Sequence, residues 1–205
     1  MSRRVCIIQG HPSQGEVHFC HAIAKAYVEG AIVAGHQVKT VAVAELDFPL
    51  LRSKRDWDNG GVPPAIAAAQ QDIAWSQHLV IIHPLWIGMM PALLKGFLEQ
   101  VYRPGFAVSQ GKDGQWAKLL KGRSARIIVT MGMPALIYRW YFGAHSLKSL
   151  KQNLALTGIK PCRHTLIGSV EAMGDAKRRA SGSRACAPLA HAAPSSRTLV
   201  RASDG

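Results

Sequence analysis

Leu79–Met90 reads LVIIHPLWIGMM, and this stretch decides the fold. Leu79–His83 is an apolar run closed by one histidine, without polar alternation. Such a short run suits a strand buried on both faces of a sheet. Pro84 ends it, and the apolar loop Leu85–Met90 follows, with Trp86 in it. Connecting loops are usually polar because their backbone must reach water. An apolar loop at a strand's end therefore points to a flat apolar ligand lying on Trp86, to a subunit contact, or to plain core.

Two further stretches repeat the pattern: Val5–Gln9 (VCIIQ) and Ala125–Met131 (ARIIVTM). Between them the period changes. Phe19, Ile23, Ala26, Tyr27, Gly30 and Val33 recur at helical spacing, with Gly35 placed to close the helix. Gln37–Val43 alternates as a strand, and Leu46–Pro64 reads as loop. Ala65–Trp75 and Pro91–Tyr102 read as helices, Gly105–Gly122 as a Gly-rich loop, and His145–Leu156 as a helix closed by Gly158. Pro161–Gly168 is the last strand. Strands alternating with helices imply an α/β fold, a five-stranded parallel sheet with helices on both faces. Ligands in such sheets bind beyond the carboxyl ends of the strands, near the switch in strand order.

The segments that follow three strands are therefore the candidates. After the first comes Gly10-His11-Pro12-Ser13-Gln14-Gly15, which matches neither the dinucleotide nor the P-loop fingerprint. Its amides could still meet a phosphate at a helix start, with His11 and His18 as extra donors. Alternatively, Ser13 simply caps the helix. After Ala125–Met131 comes Gly132-Met133-Pro134, then the aromatic run Tyr138-Arg139-Trp140-Tyr141-Phe142, and then His145. Aromatics in such number imply a lid or partner surface. Tyr138 and His145 are the titratable groups best placed for proton or hydride chemistry, with packing as the alternative.

Composition sets the outer bounds. The 205 residues are 48% hydrophobic and 18% charged, which excludes wholesale disorder. The net charge of +13 raises the question of anionic partners. Residues 176–205 hold six Lys/Arg and one acid, and residues 1–175 hold 19 and 11. Lys54, Arg55, Lys112, Lys118, Lys121, Arg123 and Arg126 are scattered, so no nucleic-acid module is expected. Val5–Ile8 is too short for a signal peptide core, and Leu79–Leu94 is too short and Pro-broken for a membrane span. The four cysteines form no CxxC pair, so free thiols and a cytoplasmic location are expected. No metal ligands are expected.

Together these segments resemble the flavodoxin-like NAD(P)H:quinone oxidoreductase family. That group includes the modulator-of-drug-activity-B proteins and the ancillary oxidoreductases of Kef potassium-efflux systems. The resemblance rests on GHPS with His18-Phe19, on PLWIGMMPALLKGFLEQVYRPGFA (Pro84–Ala107) and on TMGMPALIYRWYFGAH (Thr130–His145). It covers roughly residues 4–171 and implies strand order 2-1-3-4-5. It further implies bound FAD or FMN, reduced by NADH or NADPH, that passes two electrons to a quinone-like acceptor in a ping-pong cycle. His11, His18, Phe19 and Cys20 would line the phosphate end. Pro84, Leu85, Trp86 and Ile87 would carry the isoalloxazine ring. Thr130, Met131, Gly132 and Met133 would hold its polar edge, with Tyr138 and His145 catalytic. Family members are usually homodimers with shared flavin sites. The Kef-type relatives imply an alternative, a flavin-binding ancillary subunit held peripherally on a membrane transporter. One departure is Gly132-Met133-Pro134, where the family often has a Gly-Gly pair; proline removes a donor.

The domain is expected over residues 1–175. Residues 176–205 contain eight Ala, five Ser and five Arg, which reads as a low-complexity, disordered basic tail. A covering helix is expected to start near Val170 and to dissolve at Lys177-Arg178-Arg179. Either a natural basic tail or a reading-frame change would give this composition. If the helix is missing, exposed apolar sheet and lowered stability should follow.

Overall fold

The computed structural model describes residues 2–16, 18–110, 115–172 and 174. Five parallel strands form the sheet: β1 (Arg4–Gln9), β2 (Gln37–Ala42), β3 (His78–Pro84), β6 (Ser124–Thr130) and β7 (Cys162–Ile167), ordered β2-β1-β3-β6-β7. This is the 2-1-3-4-5 order expected, counting only strands of the main sheet. The helices are α1 (Phe19–Val33), α2 (Lys54–Asn59), α3 (Pro64–Trp75), α4 (Ala92–Val101), α5 (Ala135–Trp140) and α6 (His145–Thr157).

The apolar runs explain the layers. Every residue of β3 is buried, as a strand covered on both faces requires. Val5, Ile7, Val80, Ile82 and Ile128 pack against Ile23 and Tyr27 of α1. Cys6, Ile8, Leu79, Ile81 and Ile127 face the other way, onto Ile66 and Ile73 of α3, Leu94 and Phe97 of α4, and Leu150 and Leu154 of α6. Gly35, at φ +78, turns the chain out of α1, and its N–H donates to the Ile32 carbonyl.

Three local elements depart from the expectations. Leu46–Pro64 is not all loop: α2 forms there, with the Ser53 hydroxyl accepting from the Asp56 amide at 3.1 Å. Gly105–Gly122 contains an antiparallel pair, β4 (Val108–Gln110) and β5 (Trp116–Lys118). The aromatic run after β6 is largely helix α5. All three are too short to show a period. Ser13 does not cap α1, because the helix starts at Phe19 with His18 as its N-cap. Residues 168–172 are irregular or turn rather than helix. The expectations for residues 176–205 lie outside the described residues. Among the described residues no helix is long and apolar enough to cross a membrane.

His11, His78 and His83 are buried and each is held at a pKa of about 4 against 6.5 unfolded. Burial is the first cause in each case. His18 and His21 add to it at His11, and Arg3, Arg126, His36 and Arg163 add to it at His78. All three are neutral in the fold near pH 7. As pH falls through about 6.5, the unfolded chain takes up protons that the fold refuses until about 4, so stability declines across that window. Urea melts should show a loss of about 2 kcal/mol for each of the deeply buried His78 and His83 on going from neutral pH to about 5, and less for His11 at the cleft. A midpoint that stays flat across the window would contradict neutral burial.

Candidate functional site

A cleft of about 220 Å³ opens at the carboxyl ends of β1, β3 and β6, where the strand order reverses. The register brings these ends level: Gln9 pairs with Ile82, Pro84 with Thr130, and Thr130 with Ile167. Four segments supply the lining: His11, His18, Phe19 and Cys20; Pro84, Leu85 and Trp86; Thr130, Met131 and Gly132; Val170 and Glu171. Ten of the twelve cofactor residues expected from the sequence thus meet in one place.

Ile87 and Met133 do not line it. Ile87 sits at the tip of the turn Trp86-Ile87-Gly88-Met89, closed by two bonds between Trp86 and Met89 at 2.8 and 2.9 Å. Both central residues have positive φ, +48 at Ile87 and +74 at Gly88, as a type I′ turn demands. A β-branched residue there is strained, and its side chain stands in solvent. Met133 is half-buried, and its carbonyl accepts from the Ser169 amide.

His11 and His18 line one end of the cleft, and His21 lies beside them. His11 stacks on His18 at 4.0 Å between centroids, and His21 lies 5.2 Å from His11. The Ser13 amide donates to His11 Nδ1, and the His18 amide donates to His21 Nδ1. Each ring therefore carries its proton on Nε2 when neutral, where it can donate to an anion. Burial lowers both pKa values. Trp86 meets His11 edge-on at 6.0 Å, so the indole and the histidines share one site. Deeper in, Cys20 Sγ lies 3.1 Å from the Thr130 hydroxyl, and burial pushes its thiol up to about 11, so it is no thiolate.

Tyr138 and His145 are not brought into the cleft. Tyr138 is fully buried, and its hydroxyl accepts from the Leu147 amide at 3.3 Å, tying α5 to α6. Burial raises its pKa, so it stays protonated. His145 is exposed, its ring folded over Gly143.

Val170 and Glu171 escaped the sequence reading, although they follow the last strand and the same rule of strand ends applied to them. A Cβ on Gly132 would stand 3.0 Å from the Glu171 carboxylate. Next to the cleft lies an apolar groove of about 660 Å³, lined in part by Met89, Met90, Leu98, Tyr102, Trp116 and Leu156. The Trp86–Met89 turn is shared: Trp86 faces the cleft and Met89 the groove.

A family model described as flavodoxin-like fold matches residues 3–187. An NAD(P)H oxidoreductase of Haemophilus influenzae is 27% identical over 179 residues, covering 85% of this chain and 88% of that protein. The structure of an NAD(P)H:quinone oxidoreductase from Methanothermobacter marburgensis superposes with a TM-score of 0.75 at 22% identity, over 92% of this chain and 94% of that one. An FMN-dependent NADH-azoreductase from Bacillus anthracis, solved with FMN, gives 0.72 at 16% identity, over 92% and 99%. At those identities the two structures establish the shared fold.

Proposed function

This chain belongs to the flavodoxin-like fold family, and we propose that it is a flavin-dependent NAD(P)H oxidoreductase that reduces quinones or similar small acceptors. The observation that carries the reading is the cleft at the strand ends, lined by an indole that meets a histidine cluster beside a helix start. The oxidoreductases similar to the chain support it.

The residues fit a flavin. Trp86, Pro84 and Leu85 offer an apolar plane for a ring. His11 offers an Nε2–H donor, and α1 its positive end, for a phosphate of FMN or FAD. Gly132 lines the lip where a ring's polar edge would lie, with the Glu171 carboxylate beside it. When bound, the flavin supplies two-electron transfer from NADH or NADPH to the acceptor, in alternating half-reactions. The protein's part is binding and exclusion of water. Pro84, Leu85 and Trp86 hold the ring, His11, His18, Phe19 and Cys20 enclose the phosphate end, and Thr130, Met131 and Gly132 flank the polar edge. Tyr138 acts as a positioning residue, holding α5 against α6 behind the loop that carries Gly132.

The active form is a homodimer in the cytoplasm. Ile87, Leu136, Trp140 and Tyr141 are exposed apolar groups near the cleft, and the 660 Å³ groove adjoins it. A second copy would bury both, bringing Ile87 and Met133 to the shared boundary. One preparation tests the set. Purified protein should release FMN or FAD on heating, oxidise NAD(P)H when a quinone is added, and scatter light as twice 22.2 kDa. A colourless protein that takes up neither flavin would overturn the reading.

A further inference from the structure

The opposite end of the sheet carries a second cavity. It has a volume of about 380 Å³ and lies at the amino ends of the strands, with Arg3, Arg123, Lys160 and Arg163 on its walls and Ser124 and Gln77 between them. β6 runs from Ser124 here to Thr130 in the cleft, so the two sites lie about 20 Å apart, a strand's length.

Four cations converge on this cavity, and among the described residues no carboxylate lines it. Among the described residues, none of Arg123, Lys160 or Arg163 has an acid within salt-bridge distance. Arg123 donates to the Ala74 carbonyl at 2.6 Å, yet its Nε is buried with no partner among the described residues. The walls are fixed by backbone bonds: Lys160 N–H to Arg123 O, Ser124 N–H to Gln77 O, and Ala125 N–H to Pro161 O. The crowding is felt by its neighbours. His78, whose side chain bonds Ser124 Oγ at 2.8 Å, is held neutral chiefly by burial and then by Arg3, Arg126, His36 and Arg163.

Like charges gathered in one concavity repel one another and focus a positive field into it. A bound anion relieves that cost. Arginine forks match phosphate oxygens, and lysine adds a point charge. Among the described residues no Phe, Tyr or Trp lines the walls, and the one aromatic ring there, His78, is buried and bonded to Ser124, so no open face is offered on which a nucleobase could stack. The site is a pocket rather than the extended basic stripe that a duplex needs. It has no apolar anchors for a lipid surface.

We propose that this cavity is a binding site for a compact oligophosphate anion, separate from the flavin cleft.

Calorimetric titration of the purified full chain, saturated with added FMN, tests this with inorganic pyrophosphate as the probe. One saturable site is expected. Lys160→Gln/Arg163→Gln removes two exposed charges without touching the core, and should weaken binding at least about tenfold. Arg123→Gln should weaken it by a similar amount, and His11→Gln, in the cleft, should leave it unchanged. Added salt should weaken the native site steeply. Duplex DNA and anionic phospholipid vesicles run alongside as the other anion sources. Absence of saturation with pyrophosphate would overturn the proposal, as would equal loss in His11→Gln. Binding to DNA or vesicles with none to pyrophosphate would overturn it in favour of an extended polyanion surface.

Discussion

Trp86→Ala is expected to weaken flavin binding about 100-fold, with little change in thermal stability. Trp86 is 50% exposed, so truncation in the free protein leaves no core cavity. Its ring lines the cleft beside the histidine cluster, edge-on to His11. A bound isoalloxazine would cover it, and an aromatic anchor of this kind is worth about 2–4 kcal/mol on truncation. That corresponds to roughly 30- to 1,000-fold in Kd. Trp86→Phe should recover most of the loss, because a platform is kept. Fluorescence titration of the apoprotein with FMN and FAD reads the effect. A Kd within about threefold of the native value would remove Trp86 from the ring site.

The second large effect is on stability. Gly168→Ala is expected to cost about 3 kcal/mol and to damage the cleft at the same time. A Cβ there would stand 2.3 Å from the Ala135 amide nitrogen and 2.7 Å from the Met133 carbonyl oxygen. Both are backbone atoms that no rotamer change can move aside. The loop after β6 must shift, and that loop carries Gly132 and the Met133 carbonyl that accepts from Ser169. Overpacking of this kind costs about 1–3 kcal/mol, and the backbone clash places Gly168 at the top of the range. Thermal denaturation should fall by roughly 6–12 °C for a chain of this size. Gly61→Ala is the control, since a Cβ there meets nothing within 4 Å. Equal melts for the two variants would contradict the close approach.

The sheet was legible because LVIIH, VCIIQ and ARIIVTM are apolar on both faces, and only a doubly covered strand wants that. Strand ends then located most of the cleft. Elements below one or two periods stayed hidden: α2, β4, β5 and α5 are each three to six residues long. Ser13 read as a cap by residue type, yet the chain runs on to His18 before the helix begins. Tyr138 looked titratable and available, but apolar neighbours on α5 and α6 draw it into the core. The basic pocket was illegible for a different reason. Arg3, Arg123 and the neighbouring pair Lys160 and Arg163 come from three separate stretches of the chain, and only the parallel register gathers them. Of the cations that read as scattered, Arg123 alone lines this pocket, joined there by Arg3, Lys160 and Arg163.

The most direct test of the central claim is an anaerobic half-reaction followed by absorbance. Flavin-loaded protein mixed with one equivalent of NADH or NADPH should lose its visible flavin band, and a quinone added afterwards should restore it. A band unchanged by either nucleotide would contradict a flavin-dependent NAD(P)H oxidoreductase.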